Sequence, residues 1–335
     1  MRASMSVADA LGIDPSRLRE STDDLGRIAM VVAGIAFWGW LLTRWLYDWA
    51  FARLGIGPGE GENFLSPTPF EEAAAALEGS VVALGPVRIP VDWLATLVDG
   101  AALAIDVAPA LATGAWYTIV LTAASIALGF CIAVPTAVLR VYGGPFRWVA
   151  LAYTELIRGT PLLAQLFVLY YTPYLALWLN DVDIVGQGFV PDYAFWIAIL
   201  GFTINGSAYQ AEYIRGALES VDEGQLTAAR AIGLSKLEGI RHVVLPQTLR
   251  YAIPAWTNEL VYLIKYSSLA GFITVPELYY RASRIASSTF EYMPIFTLLA
   301  LVYLGIVLSA TNLMARVERH VAVPGIGRVE GRQQG

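Results

Sequence analysis

The sequence predicts an all-α fold, a polytopic bundle of transmembrane helices, and three observations carry that prediction. Hydrophobic residues make up 56% of the 335 and charged residues only 15%, with a mean hydropathy of +0.55, whereas soluble domains carry roughly 25% charge. Apolar stretches long enough to cross a bilayer, which takes about 20 residues, recur along the chain. The polar segments between them place lysine and arginine unevenly, mostly on one side of the membrane. Cys131 is the lone cysteine, so a disulfide framework or a redox thiol pair is excluded. His242 and His320 are the only histidines, and no His, Cys or carboxylate cluster has metal-ligand spacing; no metal site, bound cofactor, catalytic residue or nucleic-acid partner is expected.

Residues 1–27 mix acidic and basic side chains without the basic start and small-residue cleavage site of a secretory signal, and are expected as a cytoplasmic N-terminal segment. An extra N-terminal transmembrane helix occupies 28–50, with a first span over 28–47 and Arg44 snorkelling to the far interface. Residues 51–110 are expected as an extracytoplasmic loop with surface and interfacial helices. Within it, Gly55 to Gly61 is glycine-rich but has neither a preceding strand nor a following Gly-Lys-Ser/Thr, so it reads as a loop rather than a phosphate cradle. Thr68 and Glu71 bracket a capping box with Pro69 at the first helical position, predicting a surface helix over 69–78. A further helix from Val91 carries Asp92, Asp99 and Asp106 every seven residues, as a polar stripe lying flat at the interface or as an acidic docking edge.

Pro109 is expected to separate that helix from the second span, 113–138, where Ala123, Ser125, Ala127 and Gly129 set small residues four apart for close helix packing. The third span, 148–179, is interrupted at Gly159-Thr160-Pro161, where proline kinks the helix. The fourth runs over 193–213, the fifth over 253–273 and the sixth over 293–315. Residues 111–318 thus form the main transmembrane domain and 319–335 a tail. Counting basic residues puts fifteen on the N-terminal side of the membrane and four, Arg53, Arg88, Arg281 and Arg284, on the other. Both termini are therefore expected to be cytoplasmic.

The polar stretch 222–246 falls on the cytoplasmic side. Its pattern predicts a short helix over 225–232 stopped by Gly233, then a second helix opened by a Ser235–Glu238 capping box and ended by Pro246. Helices this short need packing partners. Within or near the spans lie Glu155, Arg158, Gln165, Asn258, Glu259, Lys265 and Ser268, the candidate substrate pathway, because a charge in lipid faces a partner, a cavity or the interface. Glu155 and Arg158, three apart, either neutralise each other or meet a substrate. Asn258, Glu259, Lys265 and Ser268 either serve a zwitterion or act as helix glue with a Glu259–Lys265 neutralisation. No Walker-type loop is present, so ATP energy would have to arrive through another chain.

The stretch 222–246 resembles the "EAA" coupling loop of membrane subunits of ATP-binding-cassette (ABC) importers: Glu-Ala-Ala, three residues, Gly, nine residues, Ile, any residue, Leu-Pro. Here it reads Thr227-Ala228-Ala229, Gly233, then Val243-Val244-Leu245-Pro246, with Thr227 in place of the usual glutamate and Val243 in place of isoleucine. Tyr153 to Leu163 (YTELIRGTPLL), Ser207 to Val221 followed by Gly224-Gln225, and Lys265 to Leu269 (KYSSL) are similar to segments of the polar amino-acid uptake branch, of the histidine, glutamine and glutamate type. The resemblance covers about 114–318, and the leading residues resemble the extra span of some members. It implies a type I importer permease in the cell membrane, with Gln225, Thr227, Ala228, Ala229, Ile232, Gly233, Leu234, Leu245 and Pro246 coupling to a cytoplasmic ATPase dimer that holds ATP and magnesium. It also implies an extracytoplasmic solute-binding protein and a second permease subunit, identical or paralogous, within membrane lipid. Two other readings of the residues stay open: an ion-coupled secondary transporter using Glu259 and Lys265, and a membrane scaffold that recruits a cytoplasmic partner.

Overall fold

A computed structural model describes residues 15–84, 87–90, 92–186 and 190–321. It divides into two compact units, Met1–Phe64 and Leu65–Gly335.

The first unit is built on helix α1, Pro15–Leu46, followed by a π-helical turn, Tyr47–Phe51, and a 3-10 turn, Ala52–Leu54. Ile28, Val31, Ile35 and Leu42 project from α1 with more than half their surface exposed, as suits a helix whose surroundings are lipid. Arg44 does not snorkel into water. It is buried, chelates the Asp48 carboxylate at 2.9 and 2.7 Å, donates to the Glu62 carbonyl, and lies 4.7 Å from the Phe64 ring centroid. The carboxylate four residues on supplies a stronger partner than the distant interface. The glycine-rich loop is closed by its own chain: the Tyr47 hydroxyl bonds the Ile56 and Pro58 carbonyls, and the Gly59 amide donates to Glu62.

The second unit opens with helix α2, Thr68–Leu77. The expected capping box does not form, because the helix starts one residue early: Pro67 occupies the N-cap position and Ser66, not Thr68, accepts a first-turn amide. A short antiparallel pair follows, β1 (Val81–Leu84) and β2 (Val87–Pro90), with Val81 opposite Pro90. Runs rich in valine and isoleucine account for it. The transmembrane part is helical throughout the described residues.

Helix α3, Asp92–Tyr142, is one unbroken element. Pro109 does not separate an interfacial helix from a span; it is buried inside the helix, and burial of the flanking apolar residues outweighs the one backbone bond it forfeits. At 1.5 Å per residue α3 is about 77 Å long, more than twice a bilayer core of about 30 Å, and its acidic residues lie in its first half. There Asp99 and Asp106 are exposed, and Asp92 accepts the Gly79 amide at 3.0 Å.

The third apolar stretch is divided three ways: α4 (Arg147–Arg158), α5 (Leu162–Tyr171) and α6 (Pro173–Asn180). Gly159-Thr160-Pro161 is thus a full break rather than a kink, and Thr172-Pro173 makes a second. Helix α7 (Tyr193–Ser220) packs along α3, with Ser125 and Gly129 on the contact face and Ala123 and Ala127 exposed on the other side of the small-residue stripe. A Cβ at Gly129 would stand 2.6 Å from Gln210 Nε2, so glycine is what permits this approach.

Helices α8 (Glu223–Ala231) and α9 (Lys236–Gly239) follow, then a π turn (Ile240–Val244) leading into α10 (Leu245–Tyr266). Pro246 therefore starts α10 instead of ending a helix: in the π turn the Leu245 amide bonds back to the Ile240 carbonyl, and proline sits where no amide is needed. A 3-10 segment (Ser267–Ile273), α11 (Leu278–Thr289) and α12 (Tyr292–Val321) complete the chain as described. Gly114 lets the start of α11 meet α3, since a Cβ there would stand 2.7 Å from Leu278 Cα.

Three helical stretches among the described residues, Gly26–Leu54, Asp92–Tyr142 and Tyr292–Val321, are long and apolar enough to cross a bilayer, and the bent pair α5 and α6 can supply a fourth. The fourth and fifth expected spans, on α7 and α10, fall outside that count. These are the helices that carry Asn205, Gln210, Glu212, Asn258 and Glu259.

Candidate functional site

A cavity of about 700 Å³ opens between the α4–α5 break, α7 and α10. The break itself forms one wall. Gln165 satisfies the freed backbone there, its amide donating to the Ile157 carbonyl at 2.7 Å and to Thr160, while its oxygen accepts from Asn205 at 3.1 Å. Non-helical backbone at membrane depth is tolerated when such partners are supplied and a cavity is lined. Asn205, Tyr209 and Tyr213 come from α7 at spacings of four, which puts them on one face. Glu259, Tyr262 and Tyr266 come from α10.

Arg158 enters the cavity from the end of α4, with its guanidinium 5.4 Å from the Tyr209 ring centroid. It belongs to an ion-pair network centred on Glu212. That carboxylate lies 2.7 Å from Arg140, 3.6 Å from Arg158 and 3.1 Å from Arg215; Arg158 is also 3.9 Å from Glu155, and Arg215 is 2.6 Å from Glu219. Glu155 and Arg158 thus do approach each other, but the shorter contact of Arg158 is to Glu212, to which the sequence assigned no role. Three arginines, Arg140, Arg158 and Arg215, from the ends of α3 and α4 and from α7, converge on that one carboxylate.

The fifth-span cluster is only partly assembled. Glu259 is buried against the cavity and accepts a 3.4 Å hydrogen bond from the Tyr213 hydroxyl. Lys265 does not neutralise it; its ammonium lies 4.9 Å from the Tyr262 ring centroid. More than one helical turn separates the two, too far along the axis for a pair. Asn258 and Lys265 are exposed, and Ser268 donates to the Lys265 carbonyl at 3.0 Å.

The stretch 222–246 forms a rigid exposed elbow. Asp222 caps α8 by accepting the Gly224 amide at 2.6 Å. Gly233 has φ +96°, and the Leu234 amide returns to the Ala229 carbonyl at 3.2 Å, the bond pattern of a glycine-closed helix end. The Ser235–Glu238 capping box is present in both directions. Glu238 is held below its ordinary value of 4.5, first by its hydrogen bonds with Ser235. Gln225, Thr227, Ala228 and Pro246 are exposed, Ile232 is 80% exposed, and Leu234 and Leu245 are half-buried. Ala229 is turned inward, where its Cβ faces Gly239 and holds the two helices together. Among the described residues no group of three or more His, Cys, Asp or Glu is placed to hold a metal.

Residues 125–323 match the family described as binding-protein-dependent transport system inner membrane component. A probable amino-acid ABC transporter permease protein of Bacillus subtilis is 37% identical over 61% of this chain and 85% of its own length. The histidine/lysine/arginine/ornithine transport system permease protein of Salmonella typhimurium is 35% identical over 62% of this chain and 88% of its own. A crystal structure of an amino acid ABC transporter with histidines aligns with a TM-score of 0.54 at 29% identity, covering 69% of this chain and all of that one. An inward-facing methionine ABC transporter aligns with a TM-score of 0.55 at 22% identity, over 64% of this chain and 97% of that one, and shares the fold.

Proposed function

Since the chain belongs to the family of binding-protein-dependent transport system inner membrane components, we propose that it is the permease subunit of an ABC importer for polar amino acids, driven by ATP hydrolysis in a separate subunit. One observation carries the mechanism. The second half of the exposed elbow and the cavity wall are parts of one helical run, which continues from Lys236 through the π turn to Tyr266 with Pro254 inside it. At 1.5 Å per residue it is about 46 Å long. A displacement imposed at α9, against which α8 packs through Ala229 and Gly239, is therefore carried along that run toward Glu259, Tyr262 and Tyr266.

In this proposal α8 and α9 seat in a cytoplasmic ATPase dimer through Gln225, Thr227, Ala228, Ile232 and Gly233, with Leu234, Leu245 and Pro246 behind them and Ala229 fixing their angle. ATP and magnesium belong to that partner. The core has five spans plus the leading helix, six in all, with both termini in the cytoplasm and the whole in the cell membrane. An extracytoplasmic binding protein delivers the amino acid, and a second permease subunit completes the pathway. Arg158 and Glu259 offer the amino acid opposite charges across the cavity, with Asn205 and the tyrosines between them. Secondary transport by Glu259 and Lys265 is disfavoured by their separation and by the relatives' identity.

Uptake into proteoliposomes with the partner ATPase and binding protein, sought among products of neighbouring genes, tests this. Transport should require the ATPase and ATP, and Gly233→Pro should abolish it. Uptake that persists without the ATPase sinks the proposal.

A further inference from the structure

We propose that a groove beside the elbow holds one acyl chain of an anionic phospholipid, and that Arg250 binds the phosphate of that lipid. The groove, about 320 Å³, is lined by α7, α10 and α12 and by Phe130 of α3. It is a different space from the cavity: of the residues described, Tyr213 alone lines both.

The walls offer a ligand almost nothing polar. The Trp256 indole donates to Gln210 Oε1 at 2.6 Å, the Gln210 amide nitrogen is buried against Gly129, and the Tyr213 hydroxyl is turned to Glu259. Ile214, Ile253, Met314 and Val317 face the space instead. The ammonium and carboxylate of an amino acid would go unpaired there, which is costly. Along α10 the groove runs from Pro246 to Trp256, about 15 Å, so its volume corresponds to a slot about 5 Å across. That is too narrow for a helix, which is about 10 Å wide, and suits a single hydrocarbon chain.

Arg250 is the exception in this lining. It is the one charged residue of the groove among those described, and it is exposed at the end where Pro246 and Val317 are also exposed. Among the described residues no carboxylate lies within 4.0 Å of its guanidinium, that of Glu318 beside Val317 included. Arg140, Arg158 and Arg215, by contrast, all meet Glu212. An apolar slot with an unpaired guanidinium at its open end matches a lipid: the chain fills the slot and the phosphate makes a charge-assisted pair with the arginine. Basic pockets between transmembrane helices collect anionic headgroups in this way. Arg241, Arg316 and Arg319, exposed around the same end, add to the field that attracts them.

The test is native mass spectrometry of the full-length protein, purified in detergent with its partner subunits and titrated with dioleoyl phosphatidylglycerol or dioleoyl phosphatidylcholine. The two lipids share their chains and differ in net charge. The first phosphatidylglycerol should bind at least about tenfold tighter than the first phosphatidylcholine. Arg250→Gln should erase that preference. Val317→Trp, which obstructs the slot and leaves Arg250 in place, should weaken phosphatidylglycerol binding at least about tenfold. Both positions are exposed, so neither substitution threatens folding. Equal binding of the two lipids, a preference that survives Arg250→Gln, or unaltered binding in Val317→Trp overturns the proposal. Displacement of the lipid by inorganic phosphate at the lipid's own concentration would mean an ion site without a chain, and overturns it as well. So would protection of Val317→Cys from maleimide in the delipidated complex, in a Cys131→Ala background, because a subunit would then cover the groove.

Discussion

Gly129 and Ala123 show how a packed surface and an open one share a single helix. Both belong to the same run of small residues on α3, yet Gly129 faces Gln210 and the backbone of Ser207, and Ala123 faces outward. Gly129→Ala should therefore destabilise the fold by about 1–3 kcal/mol through overpacking, seen as a lower melting temperature in detergent. Ala123→Val should stay within about 0.5 kcal/mol; equal losses at both positions would contradict the assigned contact face. Periodicity marked the stripe but not which side packs, because the partner face of α7 is set by tertiary contact. The Ser235–Glu238 cap, by contrast, was legible in full, since both partners lie within one turn. Ser235→Ala should cost about 1 kcal/mol of local helix stability. The Glu238 carboxyl titrates below its ordinary value, so its support for α9 is present above about 4.5 and is lost as pH falls through the depressed value. Protection of the Glu238 amide, which donates to Ser235 Oγ, should fall below that range relative to its intrinsic exchange rate; unchanged protection there would contradict the linkage.

Prolines were the elements least legible in the sequence. Pro109 and Pro246 both suggested helix boundaries, because a proline deletes a bond to the residue four back. In the fold Pro109 is buried within α3, and a π turn removes the need for an amide at Pro246. The burial at Pro109 is a tertiary effect, and the π turn before Pro246, although local, is marked by no residue type in 240–244. Pro161 and Pro173 did break helices, and the first break became a cavity wall because Gln165 and Asn205 were at hand to satisfy it. The glycine stop at Gly233 was read correctly because a positive φ is a property of one residue. Gly233→Ala forces a side chain to φ +96°, which should cost more than about 1 kcal/mol and alter the angle between α8 and α9. We expect transport-coupled ATP hydrolysis to fall severalfold while the melting temperature of the membrane core is little changed. Loss of both together would mean that the elbow supports the bundle rather than transmitting motion.

At the scale of the whole molecule, topology hinges on α7 and α10, whose polar faces keep them out of any count made by hydropathy. Both are long enough: at 1.5 Å per residue they extend about 42 and 33 Å, against a core of about 30 Å. Asn205, Tyr209, Tyr213 and Glu259 face the cavity and Glu212 and Arg215 belong to the ion-pair network, the condition under which charges persist inside a membrane. Trp256 of α10 donates to Gln210 of α7 at 2.6 Å. The two helices enclose the 222–246 elbow, so they must cross together or not at all if the basic residues are to sort as they do. Ile232, on the elbow, and Ser288, on α11 beyond α10, distinguish these cases because both are exposed. In a Cys131→Ala background, the single substitutions Ile232→Cys and Ser288→Cys can be probed with a membrane-impermeant maleimide in intact cells and in inverted vesicles. If α10 crosses, the two sites lie on opposite faces, with Ile232→Cys labelled only in inverted vesicles and Ser288→Cys only in intact cells. Labelling of both from one face would mean that α10 does not cross, and the elbow could not then transmit motion to a cavity within the membrane.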